Sequence, residues 1–258
     1  MLPLIDTHIH LDAPELAGAG AELLPQARQS GIGKFVVPGV RVSGWPGLLQ
    51  LTRQQVDVFA APGLHPAYAG QWSATAAQQL RELCREPKVI AIGEIGLDGA
   101  AGPPLAQQEA VLREQLQLAL EAGLPVLLHG RKATGRLLEI LRELQIGAQL
   151  GGIWHGFSGS LVVAQQLVQL GFKIGVGPIL LRDSARKLPQ AVLELPAEAL
   201  VLETDLPDMA ERPDVLLDVA RRVSELRGWS LAETARITTE NACGVFGYEC
   251  FPTVHHNS

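Results

Sequence analysis

Leu4-Ile5-Asp6-Thr7-His8-Ile9-His10 is a short apolar run that ends in two histidines spaced i, i+2. In a strand that spacing puts both imidazoles on one face, with Cα atoms about 6.6 Å apart, and Asp6 is expected on the same side. Two imidazoles so placed can converge on one cation, or they can be hydrogen-bonded core histidines. The later strands decide between these readings, because they end in the same kind of residue.

Working outward, apolar or β-rich runs recur at 34–38, 56–63, 88–93, 125–128, 152–154, 172–177 and 200–204. With the first run they make eight strand candidates. Helical spacing fills the gaps at 13–30, 45–55, 73–85, 104–122, 133–144, 161–170 and 184–193, and two more helices close the chain. Ser73 is a plausible N-cap and Gly123 a plausible helix stop. Of the closing pair, one helix is led by Pro213 and the other by Ser230, with Glu233 completing a Ser-x-x-Glu capping box. Most strand runs are continuously apolar rather than alternating, as buried parallel strands are. Eight β/α units over 258 residues predict an α/β fold, a single-domain (β/α)8 TIM barrel. An open doubly wound sheet gives the same alternation, but it has no need of polar strand ends from both halves of the sequence. No linker or low-complexity segment divides the chain, so the barrel is expected over 1–250, with a loosely ordered tail at 251–258.

The polar residues fall at the strand ends. The first strand delivers His8 and His10, the third His65, the fourth Glu94, the fifth His129, the sixth His155 and the eighth Asp205. In a barrel all carboxyl ends meet at one mouth, where active sites sit. Five of the seven histidines fall there, and the other two are the His255-His256 pair of the tail, read as a solvated terminus. One metal site explains all of the mouth positions at once. The four imidazoles of His8, His10, His129 and His155 and the two carboxylates exceed what one tetrahedral zinc with an open position takes. They suit two divalent cations about 3.5–4 Å apart sharing a carboxylate. Mixed nitrogen and oxygen donors admit Zn, Mn, iron or, less comfortably, Mg. The chemistry implied is hydrolysis.

Composition sets outer bounds. Hydrophobic residues make up 47% of the chain, enough for a large core. No run of 18 apolar residues is present and the first residues lack a basic, then apolar leader, so neither a membrane span nor a secretory signal is expected. Cys84, Cys243 and Cys250 form no Cys-x-x-Cys pair, which fits a reducing cytoplasm. The formal net charge of −6 argues against a broad duplex-binding face, though not against a nucleic acid held by metal and a few arginines.

Six segments, in this order, resemble the TatD branch of the metal-dependent hydrolase superfamily. They are Asp6-Thr7-His8-Ile9-His10, Gly63-Leu64-His65-Pro66, Gly93-Glu94-Ile95-Gly96-Leu97-Asp98, Pro125 to Arg131, His155-Gly156-Phe157-Ser158-Gly159 and Leu202-Glu203-Thr204-Asp205. The resemblance implies a (β/α)8 barrel and a metal-dependent phosphodiesterase, a deoxyribonuclease acting on DNA ends, single-stranded or frayed. It implies that His8, His10, Glu94 and Asp205 hold the first metal. Glu94, His129 and His155 would hold the second, with Glu94 bridging. Asp205 would orient or deprotonate the nucleophilic water, Arg131 would contact phosphate, and His65 would touch the scissile phosphate. Asp98 and Ser158 are expected to orient histidines or water. Glu203 is expected to point away from the site and Asn241 to be structural.

The sequence departs from that pattern in the groove. Gly99-Ala100-Ala101-Gly102 replaces a frequent aromatic after Asp98, so no base-stacking side chain is expected there, while Arg131, Lys132 and Arg136 form a local basic cluster. Gly177 is followed by Pro178 rather than Gly-Thr, Leu206 replaces Ala before Pro207, and Gly156 replaces a common cysteine. A small-molecule hydrolase on the same barrel, cleaving a lactone, an amide or a phosphate ester, is the competing reading. A degenerate barrel kept for binding would have lost a ligand position, and none is lost. A monomer is expected.

Overall fold

The computed structural model describes residues 3–16 and 19–247. Within them the strands are β1 Leu4–Asp6, β2 Ile32–Pro38, β3 Val58–Ala61, β4 Ile92–Asp98, β5 Val126–Arg131, β6 Gly152–Trp154, β7 Phe172–Val176 and β8 Leu200–Leu202. The α-helices are α1 Leu24–Gln29, α2 Trp45–Gln54, α3 Ala74–Leu83, α4 Leu105–Ala122, α5 Thr134–Glu143, α6 Ile146–Gln149, α7 Leu161–Gln169, α8 Lys187–Glu194, α9 Val215–Arg227 and α10 Leu231–Phe246. Every strand pair is parallel, running β1-β2-β3 and β4 through β8 in sequence order.

Two seams close these runs into the expected (β/α)8 barrel. Between β8 and β1, Thr7 N donates to Leu202 O at 3.0 Å, and beyond the strand ends Asp205 N donates to His8 O at 2.8 Å. Between β3 and β4, Ala60 N donates to Lys88 O at 2.8 Å and Gly93 N to Pro62 O at 3.2 Å. Period-two alternation then sorts each strand, which is buried on both faces. Ile5, Val36, Phe59, Ala61, Leu127, Ile153 and Val201 form one apolar cluster inside the barrel, and Ala242, Cys243 and Phe246 of α10 cap it. Their neighbours, such as Phe35, Val37, Val126 and Leu128, face the helices in a second, larger cluster. The cap lies at the amino ends of the strands: Thr239 Oγ1 of α10 donates to Pro3 O at 2.9 Å, just before β1.

Helix ends follow the local chemistry. Ser73 caps α3 through Ala76 N, Gly123 ends α4 at φ 67°, and Ser230 and Glu233 form the expected capping box on α10. Asn241 is structural as expected, its Nδ2 donating to Ala197 O and Leu200 O, both at 2.8 Å.

Two expected elements need correction. The segment from 13 to 30 is not one helix; it holds short 3-10 turns at Pro14–Leu16 and Gly20–Leu23 before α1. Pro14, Gly20 and Pro25 interrupt helical propagation, and a Cβ on Gly20 would overlap the Leu11 carbonyl. The fourth strand is not 88–93 but Ile92–Asp98, so Glu94 lies inside it rather than after it. The apolar stretch before it makes only a single bridge, Val89 with Ala60. The ladder to β5 runs on through Gly96↔His129 and Asp98↔Arg131. Gly96, at φ 155°, permits this approach, since a side chain there would overlap the His129 carbonyl. No described helix is long and apolar enough to cross a membrane. Cys250 and the tail at 251–258 lie outside the described residues.

Candidate metal centre at the barrel mouth

The carboxyl ends of the strands bring His8, His10, His65, Glu94, His129, His155 and Asp205 together. Glu94 is at the centre. Its Oε2 lies 3.4 Å from His8 Nε2 and 3.8 Å from His10 Nε2. Its Oε1 lies 2.7 Å from His129 Nδ1, 3.0 Å from His155 Nε2 and 3.7 Å from His65 Nε2. Asp205 Oδ1 closes the first set, 3.6 Å from His8 Nε2 and 3.4 Å from His10 Nε2. The His8 and His155 rings stack with centroids 3.8 Å apart. One carboxylate thus presents its two oxygens to two different groups of imidazoles.

Backbone geometry builds this convergence. His8 and His10 lie past the end of β1 on extended chain anchored by Ile9 N to Val36 O at 3.1 Å. Asp205 adopts φ 50°, a left-handed conformation that Asp tolerates better than most residues and that is held here by its own N–H on His8 O. Asp6 does not join the imidazoles as expected. Its Oδ1 accepts from His8 N at 3.2 Å and Thr204 N at 3.0 Å, and its Oδ2 accepts from Thr204 Oγ1 at 2.6 Å. It ties the β1 end to the β8 end. Burial pushes its carboxyl up to about 7, against those hydrogen bonds.

The electrostatics suit a cation. Burial would raise the Glu94 carboxyl, but His155, His65 and His129 outweigh it and hold Glu94 well below the usual carboxylate range. Asp205 is likewise held low, against burial, by His155 and His10. Both carboxylates are therefore anionic, the form a metal requires. Burial drives His65 down to about 4, which leaves it neutral. The Asp205 Oδ1 oxygen is buried without a hydrogen-bond partner among the described residues, although it faces two imidazoles. Among the described residues three overlapping donor groups satisfy ligand spacing: His8, His10 and Glu94; His8, His155 and Asp205; and His65, Glu94 and His129. This nitrogen and oxygen donor set, with its orphaned acceptor, fits divalent metal.

Several flanking residues differ from expectation. Glu203 does not point away from the site. It lies two residues before Asp205, and a period of two puts such residues on one side, so the expectation failed on parity. Glu203 is fully buried, accepts from Gly156 N at 2.5 Å and sits 3.7 Å from His155 Nδ1. Gly175 makes room for it, since any side chain there would overlap the Glu203 carboxylate. Asp98 does meet a histidine, its Oδ2 lying 3.2 Å from His129 Nε2. Ser158 instead lines a neighbouring cavity with Arg182 and Lys187. Arg131 lines the mouth with its side chain 61% exposed and Nη1 3.9 Å from Asp98 Oδ2.

Arg136 leaves the expected basic cluster. It is paired on the outer surface with Glu109 at 2.6 Å and Glu139 at 2.8 Å. Sequence reasoning missed Arg182 and Tyr68, which also line the mouth. Tyr68 sits three residues after His65, in the turn that the His65 side chain caps through Ala67 N at 3.1 Å. An aromatic so close to a candidate site residue was the available signal.

A family described as TatD related DNase matches residues 5–247. The chain belongs to this family, and it is a metal-dependent hydrolase. It is 38% identical over 253 residues to the uncharacterized metal-dependent hydrolase YjjV of Escherichia coli (strain K12), covering 94% of this chain and 97% of YjjV. It is 32% identical over 259 residues to the protein named 3′-5′ ssDNA/RNA exonuclease TatD of Erwinia amylovora, covering 95% of this chain and all of that one. The crystal structure of YjjV, a TatD homologue from Escherichia coli K12, superposes with a TM-score of 0.88 at 37% identity, over 94% of this chain and 97% of that one.

Proposed function

We propose that this TatD-family hydrolase is a phosphodiesterase that shortens single-stranded or frayed DNA from an end, working in the cytoplasm as a monomer. In this reading His8, His10, Glu94 and Asp205 hold one divalent cation, and Glu94, His129 and His155 hold a second. The observation that carries it is the division of Glu94, one oxygen toward His8 and His10 and the other toward His129 and His155. A protein matched over most of its length is named an exonuclease on ssDNA and RNA, which supports the substrate class.

Metal of the Mg, Mn or Zn type, held by these residues, would supply Lewis acidity at the phosphate and ease deprotonation of the attacking water. The chain's own residues supply the rest. Asp205 accepts on its carboxylate the proton that the attacking water gives up as its oxygen bonds to phosphorus, while its Oδ1 stays toward His8 and His10. The P–O bond to the leaving strand breaks, and that oxygen leaves with a proton from solvent. Arg131 presents a planar fork to the nonbridging oxygens, and neutral His65 donates or accepts beside them. Asp98 and Glu203 fix the rings of His129 and His155.

The test incubates metal-loaded protein with 3′- and 5′-labelled single-stranded DNA beside a panel of esters and lactones. Laddering of DNA that chelator and His129→Ala abolish is the expected result. Turnover of lactones alone, with DNA intact, replaces this reading with a small-molecule hydrolase. Asp205→Asn is expected to keep second-metal binding with a large loss of turnover. Near-normal rates remove Asp205 from its role.

A further inference from the structure

The mouth is one part of a longer groove whose charge reverses across the metal centre. On one side, His10, Val40, Tyr68 and Asp208 line both the mouth and an adjoining cavity of about 310 Å³. That cavity carries Asp12, Glu15 and Asp208 against Arg41. On the other side, Arg182 lines both the mouth and a cavity of about 380 Å³ that adds Arg186 and Lys187 and has no acidic lining residue. Most arginines on the outer helices are ion-paired, among them Arg28, Arg53, Arg81, Arg113, Arg136 and Arg236. Arg182 and Lys187 form no side-chain ion pair among the described residues.

A chain of phosphates is attracted to the basic side and repelled from the acidic one. With the scissile phosphate at the mouth, the acidic cavity accepts a unit that brings no further phosphate. Tyr68 stands there as an aromatic surface. Its ring centroid is 6.3 Å from that of His65, beside the reacting centre. Arg41 holds the ring in place, with its guanidinium carbon 4.2 Å from the centroid and Nη2 donating to the hydroxyl at 2.5 Å.

We propose that Tyr68 and Arg41 form the seat of the terminal nucleoside, in the cavity bounded by Asp12, Glu15 and Asp208, while the remaining strand leaves over Arg182 and Lys187. This rests on the phosphodiesterase reading and adds to it a base-binding residue and the path of the strand. It also replaces the aromatic surface that the loop at 99–102 lacks.

The experiment supplies Mn²⁺-loaded protein with a short linear single strand, the same strand with a base-free terminal nucleotide at either end, and a covalently closed circle. Bis(p-nitrophenyl) phosphate is the control diester. For the unsubstituted chain, kcat/KM falls roughly tenfold or more when the base is missing from the attacked end, and the circle is spared. Tyr68→Ala loses a similar factor on the ordinary strand and becomes indifferent to the missing base. Tyr68→Phe restores the preference. The seat is overturned if the circle is cut as fast as the linear strand, if the base-free end costs nothing, or if the two losses multiply in Tyr68→Ala. The comparison of ends needs no variant, so misfolding of Tyr68→Ala leaves it decisive. Hydrolysis of the control diester alongside any of those failures removes only the seat. No hydrolysis of any diester removes the phosphodiesterase reading with it.

Discussion

At the amino end of the barrel, Ile5, Val36, Phe59, Leu127, Ile153 and Val201 close against Phe246 and Cys243 of α10. At the carboxyl end, a few residues further along the same strands, the side chains are imidazoles and carboxylates with buried atoms left unpartnered. The side chains at both ends are largely buried, but only at the amino end are they satisfied by the chain itself. Apolar burial contributes stability in proportion to area and needs no geometry beyond close packing. Packing buried acids and imidazoles within 4 Å of one another stabilises the chain poorly, because the desolvation of each group offsets much of the attraction. The mouth is therefore built for a ligand and the base for stability, and substitutions at the two ends should separate activity from folding.

Glu94→Gln should have the largest effect. Removing the charge that faces both imidazole groups weakens the proposed metal pair, whose electrostatic contribution is several kcal/mol, so kcat/KM on DNA should fall by about a thousandfold or more. The metal-free variant should melt somewhat below the metal-free parent, because the imidazoles that hold Glu94 well below the usual carboxylate range favour its charged form in the folded chain. Added Mn²⁺ or Zn²⁺ should raise the melting temperature of the parent and much less that of the variant. Parent-like turnover in Glu94→Gln would erase the functional contrast between the two ends.

Phe246→Ala tests the opposite end. Removing a buried aromatic from the α10 cap should cost about 3–5 kcal/mol of stability. Turnover per folded molecule should be unchanged, as read by urea denaturation alongside active-site titration with metal. A loss of activity without a loss of stability would mean that the cap and the mouth are coupled through the barrel.

The same contrast explains what the sequence discloses. Strand count, barrel closure and the residues of the mouth are legible because β/α alternation and strand-end polarity are one-dimensional signals, read within a few residues. The fourth strand slipped because its apolar run, 88–93, precedes the part that pairs with β5. Glu94 and Asp98 lie past that run and read as following the strand, whereas the pairing with β5 carries the strand on to Asp98. Arg136 looked available for phosphate until Glu109, 27 positions away, turned out to face it. Tyr68 and Arg182 entered the mouth from turns between elements, where neither period applies. Pairing partners distant in sequence decide which charges are free, and local spacing cannot show them.

Glu203→Gln should have the smallest of these effects, and it probes the boundary between the two ends. Glu203 is as buried as the apolar base, yet it borders His155 at 3.7 Å and receives Gly156 N. The amide keeps an oxygen for Gly156 N but removes the negative charge beside the ring, which lowers the basicity of the imidazole as a metal donor. Metal affinity, measured by titration calorimetry, should fall about 10–100-fold, and turnover at saturating metal should recover most of its parental value. A loss of turnover that saturating metal does not restore would place Glu203 in the chemistry itself. A loss of folding with metal affinity intact would place it with Phe246 instead.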